Sequence, residues 1–332
     1  MNSAKISIVI PTHCRHRYLA RCVSWFLRWG YKIIVADSTD SRWENDLVKH
    51  ADVTYVHVPG DFCKYISKVN IALSYVNTPY VAFCADDDFT LNDGLSVALD
   101  FLEANEDYSF CQGIAYFYQQ IGTRVALLPF IYSANIESPD WLDRVTQSKN
   151  TTYYGLNRTH IVVDAFDFLS KQEVLCHATS AGLIDLAFTA IVSRAGKLMF
   201  LSQPFCLREY SPRVLSVGSR YNLIFEQELS SFYNNLICKL EDKVLMSHVN
   251  MIRLKKWLSN DFLEQLNYDQ NASIGIRSTV SKLPRMIQEQ LEFFYRLLTL
   301  IRLASNKSGF RTLKIFFCQE YRLINKILKM KT

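Results

Sequence analysis

Short apolar runs alternate with segments of helical period over the first hundred positions. Lys-Ile-Ser-Ile-Val-Ile (residues 5–10) is a β-branched run closed by Pro11, which reads as a strand. From Tyr18 to Trp29 apolar residues fall at 19, 22, 23, 26 and 27, the spacing of an amphipathic helix, and Gly30 stops it. Lys32–Ala36 is a second apolar strand, ended by Asp37-Ser38-Thr39-Asp40. The pattern then predicts a helix over 43–50, a strand over Val53–Val58, a turn at Pro59-Gly60-Asp61, a helix over 63–76 and a strand over 80–85. Strands that are apolar throughout, and that alternate with helices, imply an α/β fold: a Rossmann-like, mostly parallel sheet covered on both faces. Ligands of such sheets bind beyond the carboxyl ends of the strands. The polar clusters Thr12-His13, Asp37–Asp40, Asp61 and Asp86–Asp88 all fall at those ends.

From about Tyr108 the pattern is less regular. Strand-like stretches cover 109–118 and 124–131, Pro139-Asp140-Trp141 reads as a turn, and 160–170 and 182–195 read as helices, the latter stopped by Gly196. Lys197–Phe205 is a strand broken by Pro204. From Tyr221 the chain is helical in pattern; Pro284 separates two parts, and helical periods run through 286–303 and 312–330. These changes divide the chain at 1–107, 108–212 and 213–332.

The chain has 332 residues, 49% hydrophobic and 21% charged, which is globular rather than disordered. Nine cysteines without metal-site spacing are expected to be reduced thiols of a cytoplasmic protein. No signal-peptide layout or membrane-length apolar run is present, so Asn150-Thr151-Thr152 is expected to be a chance match to a glycosylation triplet. The net charge of +5 is uneven: residues 282–332 carry 11 Lys/Arg against 3 Glu. Phe316, Phe317, Tyr321, Ile324, Ile327 and Leu328 there interleave with Lys314, Arg322, Lys326 and Lys329. Such a helix suits an anionic membrane surface, which would place the protein peripherally at the inner face of the membrane; it suits equally a partner helix or the domain itself. Nucleic-acid binding is not expected, because the basic charge is confined to this tail.

The strongest chemical signal is Asp86-Asp87-Asp88 directly after the apolar run Tyr80–Ala85. Carboxylates so close repel unless a cation neutralises them. Mg2+ or Mn2+, which take oxygen ligands and bridge carboxylates to phosphates, would do so. A solvated turn after a strand is the plainer account.

Ile8-Val9-Ile10-Pro11-Thr12 before an Arg-rich helix start, the strand ending in Asp37, the Lys64–Leu73 helix, Ala85-Asp86-Asp87-Asp88, and Ala181–Asp185 followed by Ala195-Gly196-Lys197 resemble, in that order, the inverting family-2-like glycosyltransferases of the GT-A fold. The A-D-D-D-F sequence is similar to a bacterial surface-polysaccharide subgroup. The resemblance spans about residues 5–212. It implies a nucleotide-sugar donor, a glycan or lipid-linked acceptor and Mn2+ or Mg2+ as cofactor. It implies Asp88 as the direct metal ligand, Asp86 on the ribose or the metal, and Asp87 behind them. Thr12 and Asp37 would hold the nucleoside, with Asp37 accepting a base N–H. Arg15 and Arg17, Lys68 or Lys64, and Arg208 would meet phosphate. Asp185 would be the general base, with His177 as an alternative base. Tyr153, Tyr154, Arg158, His160 and His177 would line the acceptor side, although aromatic packing explains the tyrosines as well. A sugar-phosphate nucleotidyltransferase would need a Gly-rich phosphate loop, and Pro11–Arg15 has no glycine. A non-catalytic nucleotide-sugar-binding assembly protein would have no need of Asp86, Asp88 and Asp185 together.

Overall fold

The computed structural model describes residues 2–60, 65–121, 124–130, 135–147, 152–172, 181–209 and 226–241. Lys64, His177 and the predicted helices over 286–303 and 312–330 lie outside these residues, as does nearly all of the 213–332 region. No described helix is long and apolar enough to cross a membrane.

The first half follows the hydrophobic pattern closely. Strands β1 (Ile6–Thr12), β2 (Lys32–Asp37), β3 (Val53–His57) and β4 (Tyr80–Phe83) alternate with helices α1 (His16–Leu27) and α2 (Tyr65–Leu73). β1 pairs in parallel with β2 on one side and β4 on the other, and β2 pairs in parallel with β3. Chain order therefore reverses between β1 and β4, which opens a crevice at their carboxyl ends. β1 runs through Pro11 to Thr12, since the pairing of Pro11 with Ala36 leaves the strand in register. α1 ends at Leu27, and Gly30 takes a φ of 71°, the left-handed turn that lets the chain reverse into β2.

The second half comprises β5 (Phe89–Thr90), α3 (Asn92–Ala104), β6 (Tyr108–Ile121), β7 (Arg124–Phe130), α4 (Trp141–Gln147), β8 (Leu156–Arg158), α5 (Thr159–Ser170), α6 (Ala181–Ala195), β9 (Lys197–Glu209) and α7 (Glu226–Glu241). Among the described residues nine strands form one sheet in the order β3-β2-β1-β4-β8-β6-β9-β5, with β7 on β6. Beyond β4 the sheet is mixed: β8 is antiparallel to β4 and β6, whereas β6 and β9 run parallel. β9 does not break at Pro204; register shifts opposite Gln112–Ala115 absorb it, and the strand continues to Glu209. The helix expected over 43–50 is a single 3-10 turn, Asp46–Lys49, started by Asn45, whose side chain accepts the Leu47 N–H, and ended by His50 in an extended conformation. β5 and β8 are too short to show periodicity, and α4 occupies the predicted turn after Pro139.

Each face of the sheet carries its own core. Ile6, Ile8 and Ile10 of β1 pack with Leu19, Val23 and Phe26 of α1 and with Leu95, Leu99 and Leu102 of α3. Val9 faces the other way, into a core built from α2, α5, α6 and α7. This alternation along β1 sets its register, because a one-residue slip would exchange the two faces. Burial of each such side chain contributes about 1.5–3 kcal/mol. Two cores on one sheet thus hold the strand ends rigidly where the polar clusters emerge.

Candidate donor site at the carboxyl ends of the strands

Thr12, the last residue of β1, donates its hydroxyl to Asp86 Oδ2 at 2.6 Å, bridging the β1–β4 crevice. Asp86, Asp87 and Asp88 are all buried, at 3%, 6% and 5% exposure, so the solvated-turn account fails. Arg15 lies over the first two, with Nε 3.2 Å from Asp86 Oδ1 and a terminal nitrogen bonded to Asp87 Oδ2. The backbone of Asp87 is held as well: its carbonyl accepts from Arg21 at 3.2 Å and from the Tyr118 hydroxyl at 3.1 Å. Both of those groups also reach Glu209 Oε2.

Asp88 is positioned from the opposite side of the sheet. Its Oδ1 accepts the Glu209 N–H at 2.9 Å, and Arg208 Nε stands 3.4 Å from Oδ2. The Arg208 guanidinium in turn lies 4.2 Å from the centre of the Tyr154 ring. Burial pushes the Asp88 carboxyl up to about 7, against the opposing pull of Arg208. Burial likewise raises Asp86 to about 6, although Thr12 and Arg15 favour its charged form. The site therefore holds buried negative charge that its own cations leave partly uncompensated.

Lys68 projects from α2 beneath the crevice and is 2% exposed. It donates to the Thr12 carbonyl at 2.5 Å and to Ser38 Oγ at 2.9 Å. Burial lowers its pKa to about 8, while Asp37 and Asp86 favour the cation. The space thus suits a compact ammonium, and a planar guanidinium would not make the same two bonds.

Asp37 ends β2 and is 0% exposed. Its Oδ2 accepts from the Tyr55 hydroxyl at 2.6 Å and from His16 Nε2 at 2.7 Å, and Oδ1 accepts the Thr39 N–H at 2.8 Å. Burial disfavours its charge, but these bonds outweigh it and hold the carboxyl below its ordinary value. The carboxylate expected to accept a base N–H is thus covered in this structure by side chains of its neighbours. The β1–α1 connection beside it carries Cys14 at φ 57°, an uncommon value for a residue other than glycine, with its N–H bonded to Thr39 Oγ1.

Arg17 and Arg158 stand away from the aspartates. Arg17 bonds the Tyr18 hydroxyl at 2.8 Å on the exposed face of α1, whereas Arg15 reaches Asp86 and Asp87. Arg158 lies at the other end of β4. It pairs with Tyr80 at the start of β4, the end remote from Asp86, and donates to the carbonyls of Leu102, Asn105 and Tyr108. It thereby satisfies carbonyls at the end of α3. His160 lines a groove at that same remote edge with Asn77, Arg158 and Asp164.

Tyr154 and Asp185 do fall near the aspartates. Burial raises the Tyr154 phenol, and the charges of Asp88, Asp185 and Asp87 all act on it. Asp185 sits on the second turn of α6 and also acts on Tyr65 and Tyr153, whose hydroxyls are bonded to each other. The site thus has one flank of His16, Asp37 and Lys68, a central carboxylate group, and a far flank of Arg208, Tyr154 and Asp185. His16, Tyr55, Arg21, Tyr118 and Glu209 were not legible as site residues, because nothing in their local pattern separates them from surface or core positions.

Among the described residues no three His, Cys, Asp or Glu side chains converge as a complete metal cage. Asp88 nevertheless offers buried carboxylate oxygen of the kind a hard cation takes, beside two further buried carboxylates.

Residues 7–165 match the family model described as Glycosyl transferase family 2. Among solved structures, the chain is similar to S. aureus TarS 1-349 in complex with UDP, with a TM-score of 0.50 and 14% identity over 86% of this chain and 78% of that one. The complex of the same fragment with UDP-GlcNAc gives 0.49 and 14% over 86% and 78%. TarS 1-349 itself gives 0.45 and 12% over 81% and 92%. At such identities the likeness is one of fold. No curated protein matches the chain.

Proposed function

Because residues 7–165 belong to glycosyl transferase family 2 and the protein is a glycosyltransferase, we propose that it transfers a sugar from a nucleotide-sugar to a hydroxyl of a glycan or lipid-linked acceptor, with inversion. The observation that carries this reading is the arrangement around Asp88. A buried carboxylate group lies at the strand ends, the His16–Asp37–Lys68 flank lies on one side, and a further carboxylate, Asp185, lies on the other. The UDP-bound TarS fragment indicates what this fold accommodates and supports a nucleotide-sugar donor.

In this reading the diphosphate lies over the Asp86–Asp88 turn, with Arg15 and Arg208 as cationic neighbours for its oxygens. Lys68 supports the Thr12 backbone below it. The acceptor enters from the Tyr154 side. Its oxygen attacks the anomeric carbon as the bond from that carbon to the diphosphate breaks. The acceptor proton passes to the Asp185 carboxylate, and the nucleoside diphosphate leaves. Attack opposite the leaving group inverts the configuration.

Mn2+ or Mg2+ fits this site as a cation that takes one or two carboxylates and completes its shell with phosphate and water. Asp88, with Asp86, would hold it, and it would neutralise charge on the departing diphosphate. We assign the pathway to bacterial cell-surface polysaccharide synthesis on the motif resemblance.

The test is a panel of UDP-, GDP-, CMP- and dTDP-sugars, with and without Mn2+, assayed for binding and slow donor hydrolysis by the wild type and Asp88→Ala. Metal-dependent hydrolysis of one donor, lost in the variant, is expected. Failure of every donor to bind would overturn the reading.

A further inference from the structure

The His16–Asp37–Lys68 flank has one carboxylate, Asp37, and that carboxylate is sealed. It is 0% exposed, and three donors occupy it: Tyr55 Oη and His16 Nε2 on Oδ2, and the Thr39 N–H on Oδ1. A carboxylate offers about four lone-pair positions, so Asp37 is close to its full complement. At 0% exposure, a ligand N–H could reach it only by displacing the side chains that cover it, His16 and Tyr55 among them. That exchange would cost about as much as the new bond gains.

The assembly continues outward. The Trp43 N–H donates to the Tyr55 hydroxyl at 2.8 Å, so the loop after β2 is tied to Asp37 through Tyr55. The Trp43 ring centre lies 6.4 Å from that of His16. His16 itself keeps 24% of its side-chain surface open, while the carboxylate behind it is closed. It is thus a member of the assembly, at the start of α1, that a ligand at the ends of β1 and β2 can touch.

An ionised carboxylate only accepts, so His16 Nε2 must carry the proton it shares with Asp37. An imidazole protonated on Nε2 presents Nδ1 as an acceptor. Nδ1 has no hydrogen-bond partner among the described residues, and the ring is fixed by its bond to Asp37.

We propose that His16, through Nδ1, is the residue that hydrogen-bonds the nucleoside of the donor, and that Asp37 acts through His16 as a positioning residue. The groups that Nδ1 recognises are nucleoside donors: the imide N–H of a base such as uracil, or a ribose hydroxyl. This rests on the nucleotide-sugar reading above.

Two substitutions separate the two nitrogens of the ring. Asn places an acceptor near the position of Nδ1 and loses the bond to Asp37; Gln reaches toward the position of Nε2 and loses Nδ1. Full-length protein would be titrated calorimetrically with UDP, CDP, GDP and dTDP in Mn2+, with melting temperature recorded for every variant. His16→Gln and His16→Ala are each expected to weaken the preferred nucleotide about tenfold, and His16→Asn to weaken it less. Asp37→Asn is expected to weaken it by a similar factor, and the double variant Asp37→Asn/His16→Ala to lose no more than His16→Ala alone. A purely structural role for Asp37 would lower the melting temperature and give independent, multiplying losses in the cycle. The inference is overturned if Asp37→Asn changes the ratio of UDP to CDP affinity while His16→Ala leaves both affinities unchanged, or if the two losses multiply. Absence of nucleotide binding by the wild type would instead strike the donor-site reading itself.

Discussion

Thr12 and Asp86, 74 positions apart in sequence, share a 2.6 Å hydrogen bond that closes the crevice between β1 and β4. Asp86 is buried, so the hydroxyl is one of few groups offsetting the cost of its charge. Thr12→Val keeps the shape and removes the donor. It is expected to destabilise the protein by about 1–3 kcal/mol, and Thr12→Ser is expected to recover most of the loss. Thermal unfolding of the three proteins checks this; equal midpoints for wild type and valine variant would rule it out.

Asp88 gives a metal test that does not depend on turnover. Mn2+ with nucleotide is expected to raise the melting temperature of the wild type, since a ligand at about 100 times its Kd adds about 2.7 kcal/mol. Asp88→Asn is expected to abolish the part of the rise that requires metal and to lower donor turnover by about 10²–10³. An undiminished Mn2+ shift in the variant would remove Asp88 from the ligand set.

Lys68 predicts a pH dependence. Burial lowers its pKa to about 8, so its positive charge at the proposed donor site is present below that pH and lost above it. Affinity for UDP is expected to fall as pH rises from about 7 to 9 and to be flatter in Lys68→Met. The contribution of Lys68 to stability has the opposite sign. The folded pKa lies below the ordinary 10.5, so the unfolded chain binds the extra proton between about 8 and 10.5 and stability rises with pH across that window. Calorimetric titration across the pH range, with a parallel unfolding series, separates the two effects.

Arg15 and Arg17 are neighbours of the same type with different expected behaviour. Arg15→Ala uncovers two buried carboxylates and is expected to lower both melting temperature and nucleotide affinity. Arg17→Ala, on the exposed face of α1, is expected to change stability by less than about 0.5 kcal/mol and affinity by less than twofold. Similar effects from both would contradict the placement.

Asp185 is tested by splitting binding from transfer. Asp185→Asn is expected to leave donor affinity within about twofold and to reduce transfer to an acceptor by about 10²–10⁴. Weakened donor binding with preserved transfer would assign Asp185 to the donor side instead.

The parallel half of the sheet was legible because its strands are apolar on both faces and its helices carry one clean stripe, as Leu19, Val23 and Phe26 show. The Asp86–Asp88 group was legible because three charges directly after a buried strand have no ordinary packing role. β8 was not legible: three residues cannot express a period, and its pairing with both β4 and β6 is set by tertiary contact. Arg15 and Arg17 could not be told apart in sequence, since the difference is the direction each takes at a helix start. The placement of Arg158 was not legible because an arginine among tyrosines reads as a binding residue, whereas its guanidinium donates to backbone carbonyls. The shielding of Asp37 depends on Tyr55, a residue 18 positions away on the next strand.

The bond from the Glu209 N–H to Asp88 joins positions 121 apart, and Arg21 reaches Glu209 across 188. During stepwise synthesis the nucleotide-side strands leave the ribosome long before β9. For that interval Asp88 has no partner on its far side, and Arg21 is without its carboxylate. Both cores also draw on β9, through Phe205–Leu207 on one face and Leu198 on the other, so neither closes before that strand is made. A product truncated ahead of β9 would therefore lack a closed core and the Glu209 contact to Asp88 alike.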